Sequence, residues 1–467
     1  MVKITIDVPD ELAVHLTELE ARLKRLEADK VGTEAPIPEA DIDLVTAGIG
    51  LDFKRRLLQA VDIDAKRILI DRKPHTKVGR YQATYFAKEG PIHVVRSLYR
   101  PTGVRNAKTV DVVSARLGAV DGWLPNAAKA AAFLLQQGTS REAEATAQAL
   151  GVLPYSRSSF ERVAHEVGER FSIVRDDIED TLIRRYKIPR GSYSISVSLD
   201  RVAVPFEEPR NMPEGWTPTA DGPQRPIERA WHMAYVGTVT IHARDGEALH
   251  TIRYGRMPMF GHEDLVGAMT RDVKGLLKKR PHLVVVLITD GAQEMVDALD
   301  AQLSYETLGV EPRRQIDFWH VVEKLGSAAK VIHGPNAGPI LKQWRLLLLN
   351  SPTAAARIRT ELVASGKDHI TVGQERPVHA AITYIDNQSS RMTFVAARAA
   401  GLPIGSGNVE ATCKSLMGQR LVRTGSRWKE ATAQRIVDLR ALALSGRWDD
   451  ALELTLQLDV HTVSCAA

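Results

Sequence analysis

Apolar and polar residues alternate with two periods along this chain, and each change of period marks an element. Lys3-Ile4-Thr5-Ile6-Asp7-Val8 alternates at period two and predicts a short strand. Leu12, Leu16, Leu19, Leu23 and Leu26 follow at steps of 4, 3, 4 and 3, an a/d seam on a helix. The seam suits either pairing with a second copy or docking on the domain's own core, since independent coiled coils need about three or four heptads. Residues 31–41, with Gly32, Pro36 and Pro38, predict a linker. A helix to about Ala60 and strands over Tyr81–Phe86 and Ile92–Tyr99 come next. From Pro125 to about Gly168 the period is helical. Ser140 as N-cap opens one helix to Leu150, Gly151–Tyr155 turns, and Ser156–Val167 makes a second helix. This is the outline of a helix-turn-helix, with Arg157 and Arg162 on the helix that would enter a major groove; an ordinary αα-hairpin has the same outline.

From Tyr193 the period returns to two. Tyr193–Leu199 alternates and ends at Asp200, and a Pro-rich polar stretch (206–227) interrupts. Strands are predicted over Trp231–Ile241 and Leu249–Tyr254, joined by an Asp245-Gly246 turn. A helix over Glu263–Leu277 leads to Leu283–Thr289, an apolar run without alternation, which predicts a strand buried on both faces of a parallel pair. Another helix (Gln293–Leu303) and a short strand to Asp317 complete a β-β-β-α-β-α-β order. That order, three antiparallel strands and then strand–helix alternation, is the ribonuclease-H-like arrangement. Residues from about Phe318 to Ala399 read as largely helical.

Composition narrows the class. At 467 residues the chain exceeds one ordinary domain, and 44% hydrophobic content gives ample core. Two cysteines, Cys413 and Cys465, exclude a disulfide framework or a Cys-rich zinc site. Met1–Asp7 lack the apolar core of a secretion signal, and no run of about 18 apolar residues exists, so the expectation is a cytoplasmic protein with no membrane partner. A net charge of +5 permits nucleic-acid binding without requiring it. Between Ala411 and Arg440, however, seven basic residues face only Glu430 and Asp438.

Three carboxylates carry the candidate chemistry. Asp200 and Asp290 each close a predicted strand, and Glu410 sits at a predicted helix start in Gly405–Ala411. Singly, each has a structural role open to it: a strand end for Asp200, a capping box with Gln293 for Asp290, and a first-turn acid for Glu410. Jointly they form a metal site, because carboxylates around one cleft repel unless cations neutralise them. Two Mg²⁺ (or Mn²⁺) ions about 3.5–4 Å apart could then drive in-line phosphodiester displacement with no side-chain nucleophile. Asp317 and His320, three apart at a helix start, could orient a phosphate, a water or a carboxylate, or could simply cap and pack that helix. Behind Glu410, Lys414, Arg420, Arg423 and Arg427 suit DNA phosphates, and Trp428 suits either base stacking or a core.

The block Gly405–Lys414, followed by Arg423-Thr424-Gly425-Ser426-Arg427-Trp428 and Gly446-Arg447-Trp448, resembles the glutamate block of bacterial insertion-sequence transposases of the Asp-Asp-Glu type, the ISKra-type group. Asp317-Phe318-Trp319-His320 resembles a motif shared with Mutator-like and hAT-like transposases. The spacings, 90 residues from Asp200 to Asp290 and 120 from there to Glu410, resemble families with an all-helical insertion. The resemblance covers about residues 190–450. It implies an α/β ribonuclease-H-like catalytic domain with that insertion and a mainly helical N-terminal DNA-binding region. The divisions expected are 1–30 (strand and leucine-repeat helix), 31–125 (small α+β region), 126–190 (helix-turn-helix-like), 191–330 with 400–450 (catalytic) and 331–399 (insertion). Implied too are double-stranded DNA as partner, a homodimer or higher oligomer on it, and a bacterial, nucleoid-associated location. Asp200, Asp290 and Glu410 would hold the metals, with Asp317 and His320 beside them. A nuclease or resolvase that cuts without joining, and a non-catalytic helix-turn-helix protein, are the alternatives.

Overall fold

The computed structural model describes residues 10–212, 216–217 and 226–466, so the strand expected over Lys3–Val8 lies outside the described residues. In chain order the elements are α1 (Asp10–Ala28), α2 (Glu39–Val61), β1 (Arg67–Ile70), β2 (Lys73–Phe86), β3 (Pro91–Pro101), β4 (Val110–Asp111) and α3 (Val112–Leu117). Then come α4 (Pro125–Gln137), α5 (Ser140–Ala149), α6 (Arg157–Ile173), α7 (Arg175–Arg185), β5 (Ser194–Pro209), β6 (Ile227–His242) and β7 (Ala248–Arg256). They continue with α8 (Gly261–Lys279), β8 (Val284–Thr289), α9 (Gln293–Gln302), α10 (Tyr305–Leu308), β9 (Arg313–Ile316) and α11 (Phe318–His333). The remainder is α12 (Ala337–Asn350), α13 (Ala354–Ala364), α14 (Pro377–Gln388), α15 (Phe394–Ala399), α16 (Gly407–Thr412), α17 (Gln419–Leu421), α18 (Glu430–Leu444), α19 (Trp448–Gln457) and β10 (Val463–Cys465). Among the described residues the protein is a mixed α/β chain with two five-stranded sheets.

It forms two compact units, Met1–Val174 with Leu452–Ala467, and Arg175–Ala451. The N-terminal stretches that the sequence separates share the first unit, and α7 goes with the second.

In the first unit the sheet order is β10-β1-β2-β3-β4, all antiparallel, with the chain's last strand added to β1. The α1 leucines that are described, Leu12, Leu16, Leu19 and Leu26, are half-buried and Leu23 is exposed, so the seam is not a closed core. Thr139, not Ser140, caps α5, through a capping box with Glu142. Ala127, Ala128, Ala131 and Ala132 on α4 and Ala143 and Ala147 on α5 are buried with Phe160, Val163 and Val167 of α6. Arg157 and Arg162 stay exposed, and Arg162 pairs with Asp121 at 3.1 Å.

The second unit holds a sheet of order β7-β6-β5-β8-β9, with β5–β6 and β6–β7 antiparallel and β5–β8 and β8–β9 parallel. β8 is buried on both faces as its sequence requires. Val285 and Leu287 join the core under α8 and α9, while Val286 and Ile288 pack against Ala397 and Leu402. β5 splits its residues in the same way. Ile195, Val197 and Leu199 enter the main core, but Ser194, Ser196 and Ser198 are also buried. Ser196 Oγ meets His242 Nε2 at 2.8 Å. The helices expected between the last strand and Glu410 are present as α11 to α15, packed around Trp344, Ile358 and Phe394.

Candidate active site beyond the parallel strands

Asp200 does not end its strand. β5 runs on to Pro209, paired with β6 throughout, and Asp200 faces Val236 there. What ends near Asp200 is the parallel partner. β5–β8 pairing runs from Ser194↔Val284 to Val197↔Leu287, and three further residues along each strand lead to Asp200 and to Asp290. By register the two aspartates therefore stand level, Asp200 still paired to β6 and Asp290 just past the end of β8.

Asp290 forms no capping box. Its Oδ1 accepts from Ala292 N at 2.9 Å, Ala292 is the N-cap of α9, and Gln293 turns its amide to Asp297. The following Gly291 has φ +93°, and a Cβ there would lie 3.0 Å from Ile316 and 3.2 Å from Gln388 and Tyr384. Tyr384 and Gln388, one turn apart on α14, donate to the carbonyls of Asp290 (2.7 Å) and Gly291 (3.2 Å). The helical excursion thus braces the turn that carries Asp290.

Glu410 is brought back by a backbone segment sewn to the end of β9. Gln315 Nε2 donates to Pro403 O at 3.2 Å, and Phe318 N to Ile404 O at 3.0 Å. Asp317 Oδ2 accepts from both the backbone N–H of Ser406 and its Oγ (2.6 Å for the latter). Glu410 then lies in the first turn of α16. Residues Cys413–Gly418 continue that helix as a π-helical stretch, a form concentrated at functional sites. Cys413, one turn after Glu410, donates its thiol to Asp200 Oδ2 at 3.4 Å. Burial, and then the Asp200 charge, push that thiol far up, so it stays protonated.

His320 Nδ1 stands 3.6 Å from Asp317 Oδ1 and 3.7 Å from Glu410 Oε1, and hydrogen-bonds to neither. The Asp317 carboxylate most of all, with Asp290 and Glu410 behind it, raises this imidazole to about 9 against its burial. Asp317 goes the other way. Burial alone would raise it, but hydrogen bonds from His320 and Ser406 outweigh that and hold it at about 2. Asp317, His320 and Glu410 are the one group of three potential metal ligands among the described residues with donor atoms within 4.8 Å of one another. Asp317 is nevertheless 0% exposed, with Oδ1 taken by His320 N and Oδ2 by Ser406. It caps α11 and clamps the returning loop. Among the described residues neither Asp200 nor Asp290 has a Lys or Arg partner, and Arg201 reaches Glu294 instead.

The basic block divides. Lys414 and Arg427 are exposed and Arg423 is half-exposed. Arg420 is buried, with its guanidinium 4.8 Å over the Trp428 ring. Trp428 donates Nε1 to Leu421 O at 3.1 Å, and its backbone exchanges hydrogen bonds with Pro205 and Glu207 on β5. Arg420 is thus packed on Trp428, and Trp428, half-buried, is tied to β5. Sequence reasoning missed Ser406 and Cys413, although both lie inside the glutamate block, and it missed Tyr384 and Gln388, which only the fold brings to Asp290.

No protein-family description and no curated protein matches this chain. Among solved structures, the Drosophila P element transposase strand transfer complex is similar at 12% identity and a TM-score of 0.23, over 71% of this chain and 80% of that one. A likeness of that size decides nothing about the chemistry.

Proposed function

We propose that this chain is a DNA transposase with a ribonuclease-H-like catalytic domain, in which Asp200, Asp290 and Glu410 hold Mg²⁺ or Mn²⁺ to cut and join phosphodiesters. What supports this reading is that register sets Asp200 level with Asp290, that Cys413, one turn after Glu410, meets Asp200 Oδ2 at 3.4 Å, and that among the described residues neither aspartate has a Lys or Arg partner. Like charges so placed call for cations, and hard oxygen donors beside incoming phosphates suit Mg²⁺. Three antiparallel strands followed by two parallel ones, in the order β7-β6-β5-β8-β9, support the fold reading.

Bound divalent ions would supply Lewis acidity, raising the nucleophilicity of water or of a 3′-hydroxyl and offsetting charge on the phosphate. The chain's own residues do the positioning. Register sets Asp200 level with Asp290, Tyr384 and Gln388 hold the Asp290 turn, and Asp317 with Ser406 fixes the approach of Glu410. His320 keeps a proton on Nδ1 between Asp317 and Glu410, lessening their repulsion. Exposed Lys414 and Arg427, with Arg157 and Arg162 on α6, are the proposed DNA contacts, and a dimer or higher oligomer would bring two ends together.

The test is plasmid nicking and joining of pre-cleaved ends, using duplexes from the DNA that flanks the gene. Asp200→Asn, Asp290→Asn and Glu410→Gln should each lower cleavage by at least about 1,000-fold in Mg²⁺ or Mn²⁺ while duplex binding persists. Cleavage at the wild-type rate in Asp200→Asn would sink the proposal, and cleavage without joining would favour a nuclease or resolvase.

A further inference from the structure

The most basic segment of this chain lies in its first unit, outside the glutamate block. Residues 66–108 hold eleven Lys and Arg against Asp71 and Glu89, although the whole chain nets only +5. This segment spans β1, β2, β3 and the loop after them in the first unit.

The fold sorts those eleven. Lys77 and Arg80 are tied to Asp64, Arg80 also reaches Asp62, and Arg96 pairs with Asp111 at 2.9 Å. Six others, Arg67, Arg72, Lys73, Arg100, Arg105 and Lys108, are exposed, and among the described residues none is ion-paired to a carboxylate. Strand pairing gathers them at one end of the sheet. Ile70↔Lys73 closes the β1–β2 hairpin through Asp71-Arg72, and His75↔Pro101 places the end of β3 beside it. Thr102 N donates to Pro74 O at 2.9 Å, which ties the loop carrying Arg105 to that hairpin. Arg67, Thr76 and Arg100 lie in register across three strands. At about 4.8 Å per strand, Arg67 and Arg100 are about 10 Å apart, close to the ~12 Å width of a major groove. The acid at this end, Asp71, already accepts from His461 Nδ1 (2.6 Å) and Thr462 N (3.0 Å). Thr76 and Thr102, hydroxyls 2.8 Å apart, add neutral phosphate donors among the cations.

We propose that this end of the β1–β2–β3 sheet is a second DNA-contacting surface, which grips the phosphate backbone of a duplex without reading its sequence. It rests on the transposase reading only for the choice of DNA as the polyanion. Uncompensated Lys and Arg on a rigid sheet release condensed counterions when they meet phosphates, and each contact adds about 0.9 to the salt dependence of binding.

The experiment measures full-length protein binding to a fluorescent 30-base-pair duplex of arbitrary sequence, in EDTA, from low to high salt. The variant replaces Arg72, Lys73, Arg100 and Arg105 with Gln, all exposed positions, and its unfolding temperature is checked against wild type. Expected is a salt slope smaller by roughly three to four and an affinity at least about tenfold weaker near 0.15 M salt. An unchanged slope and affinity in a folded variant would overturn the proposal. So would a wild-type chain that binds heparin as tightly as the duplex and loses both equally. Because EDTA removes cleavage from the measurement, a chain that never cuts DNA yet shows the reduced slope would refute the transposase reading and leave this surface standing.

Discussion

Ser406 contributes more to the candidate site than its place between two glycines suggests. Its backbone N–H and Oγ both go to Asp317 Oδ2, and Asp317 in turn caps the helix that carries His320. Hydrogen bonds to a buried charge are worth about 1.5–3 kcal/mol. Ser406→Ala should therefore cost roughly that much in urea unfolding and, on the proposed function, weaken metal-dependent cleavage through a displaced Glu410, whereas Ser406→Thr should recover most of both. At this scale the sequence singles out candidate acids and is silent about their partners. Asp200, Asp290 and Glu410 could be singled out because strand and helix periods end around them. Nothing in the periods of α14 announces that Tyr384 and Gln388 will meet a turn 94 and 97 residues upstream.

Among elements, close approach decides the architecture. β7 lies so near the π-helical stretch and α18 that a Cβ at Gly255 would be 2.4 Å from Val437 Cγ1 and 2.9 Å from Met417 Cε. Gly255→Ala should destabilise by about 1–3 kcal/mol as these helices are pushed off the sheet, measured as a lower urea midpoint with an unchanged slope. The same contact explains why the buried face of β5 is serine and that of β6 threonine. Small polar side chains such as Ser198 and Thr238 let α16 and its continuation come in close. Alternation alone predicted a strand here correctly, but it could not tell a buried polar face from a solvated one. Nor could it show that β5 continues past Asp200, because the pairing that sustains Arg201–Pro209 comes from β6. The non-alternating run of β8, by contrast, was legible in full, since burial on both faces leaves no polar position to misread.

Over the second unit as a whole, stability carries a buried ionic network. Arg175, Arg256 and Arg447 are buried with Asp272, Asp438 and Glu179, and link α7, β7, α8 and α18. Burial raises Asp438 and also Glu179. Glu179 rises to about 7, although Arg271 donates to it at 2.8 Å. Its folded value lies above the unfolded value of about 4.3, so the folded state holds the proton more tightly. The associated stability is complete below about pH 4.3 and is lost as pH rises through about 7. Glu179→Gln should thus gain on wild type across pH 4.5–8, by roughly 1–3 kcal/mol at the top of that range, read from unfolding midpoints at each pH. A constant difference between the two would contradict the assignment. None of these partners is adjacent in sequence, and single-sequence periodicity has no means of pairing Asp272 with Arg447.

The clamp between Asp317 and Ser406 spans 89 residues, and this has a consequence in time. A chain emerging from the ribosome makes β5, β8 and β9 early, so two of the three acids are in place while the third is still unmade. The intervening helices have a core of their own around Trp344, Ile358 and Phe394. They can settle before Ser406 arrives to close the loop at its root. Any cutting activity would then switch on late in synthesis and all at once, when nearly the whole second unit exists, and truncated translation products would bind DNA without cutting it.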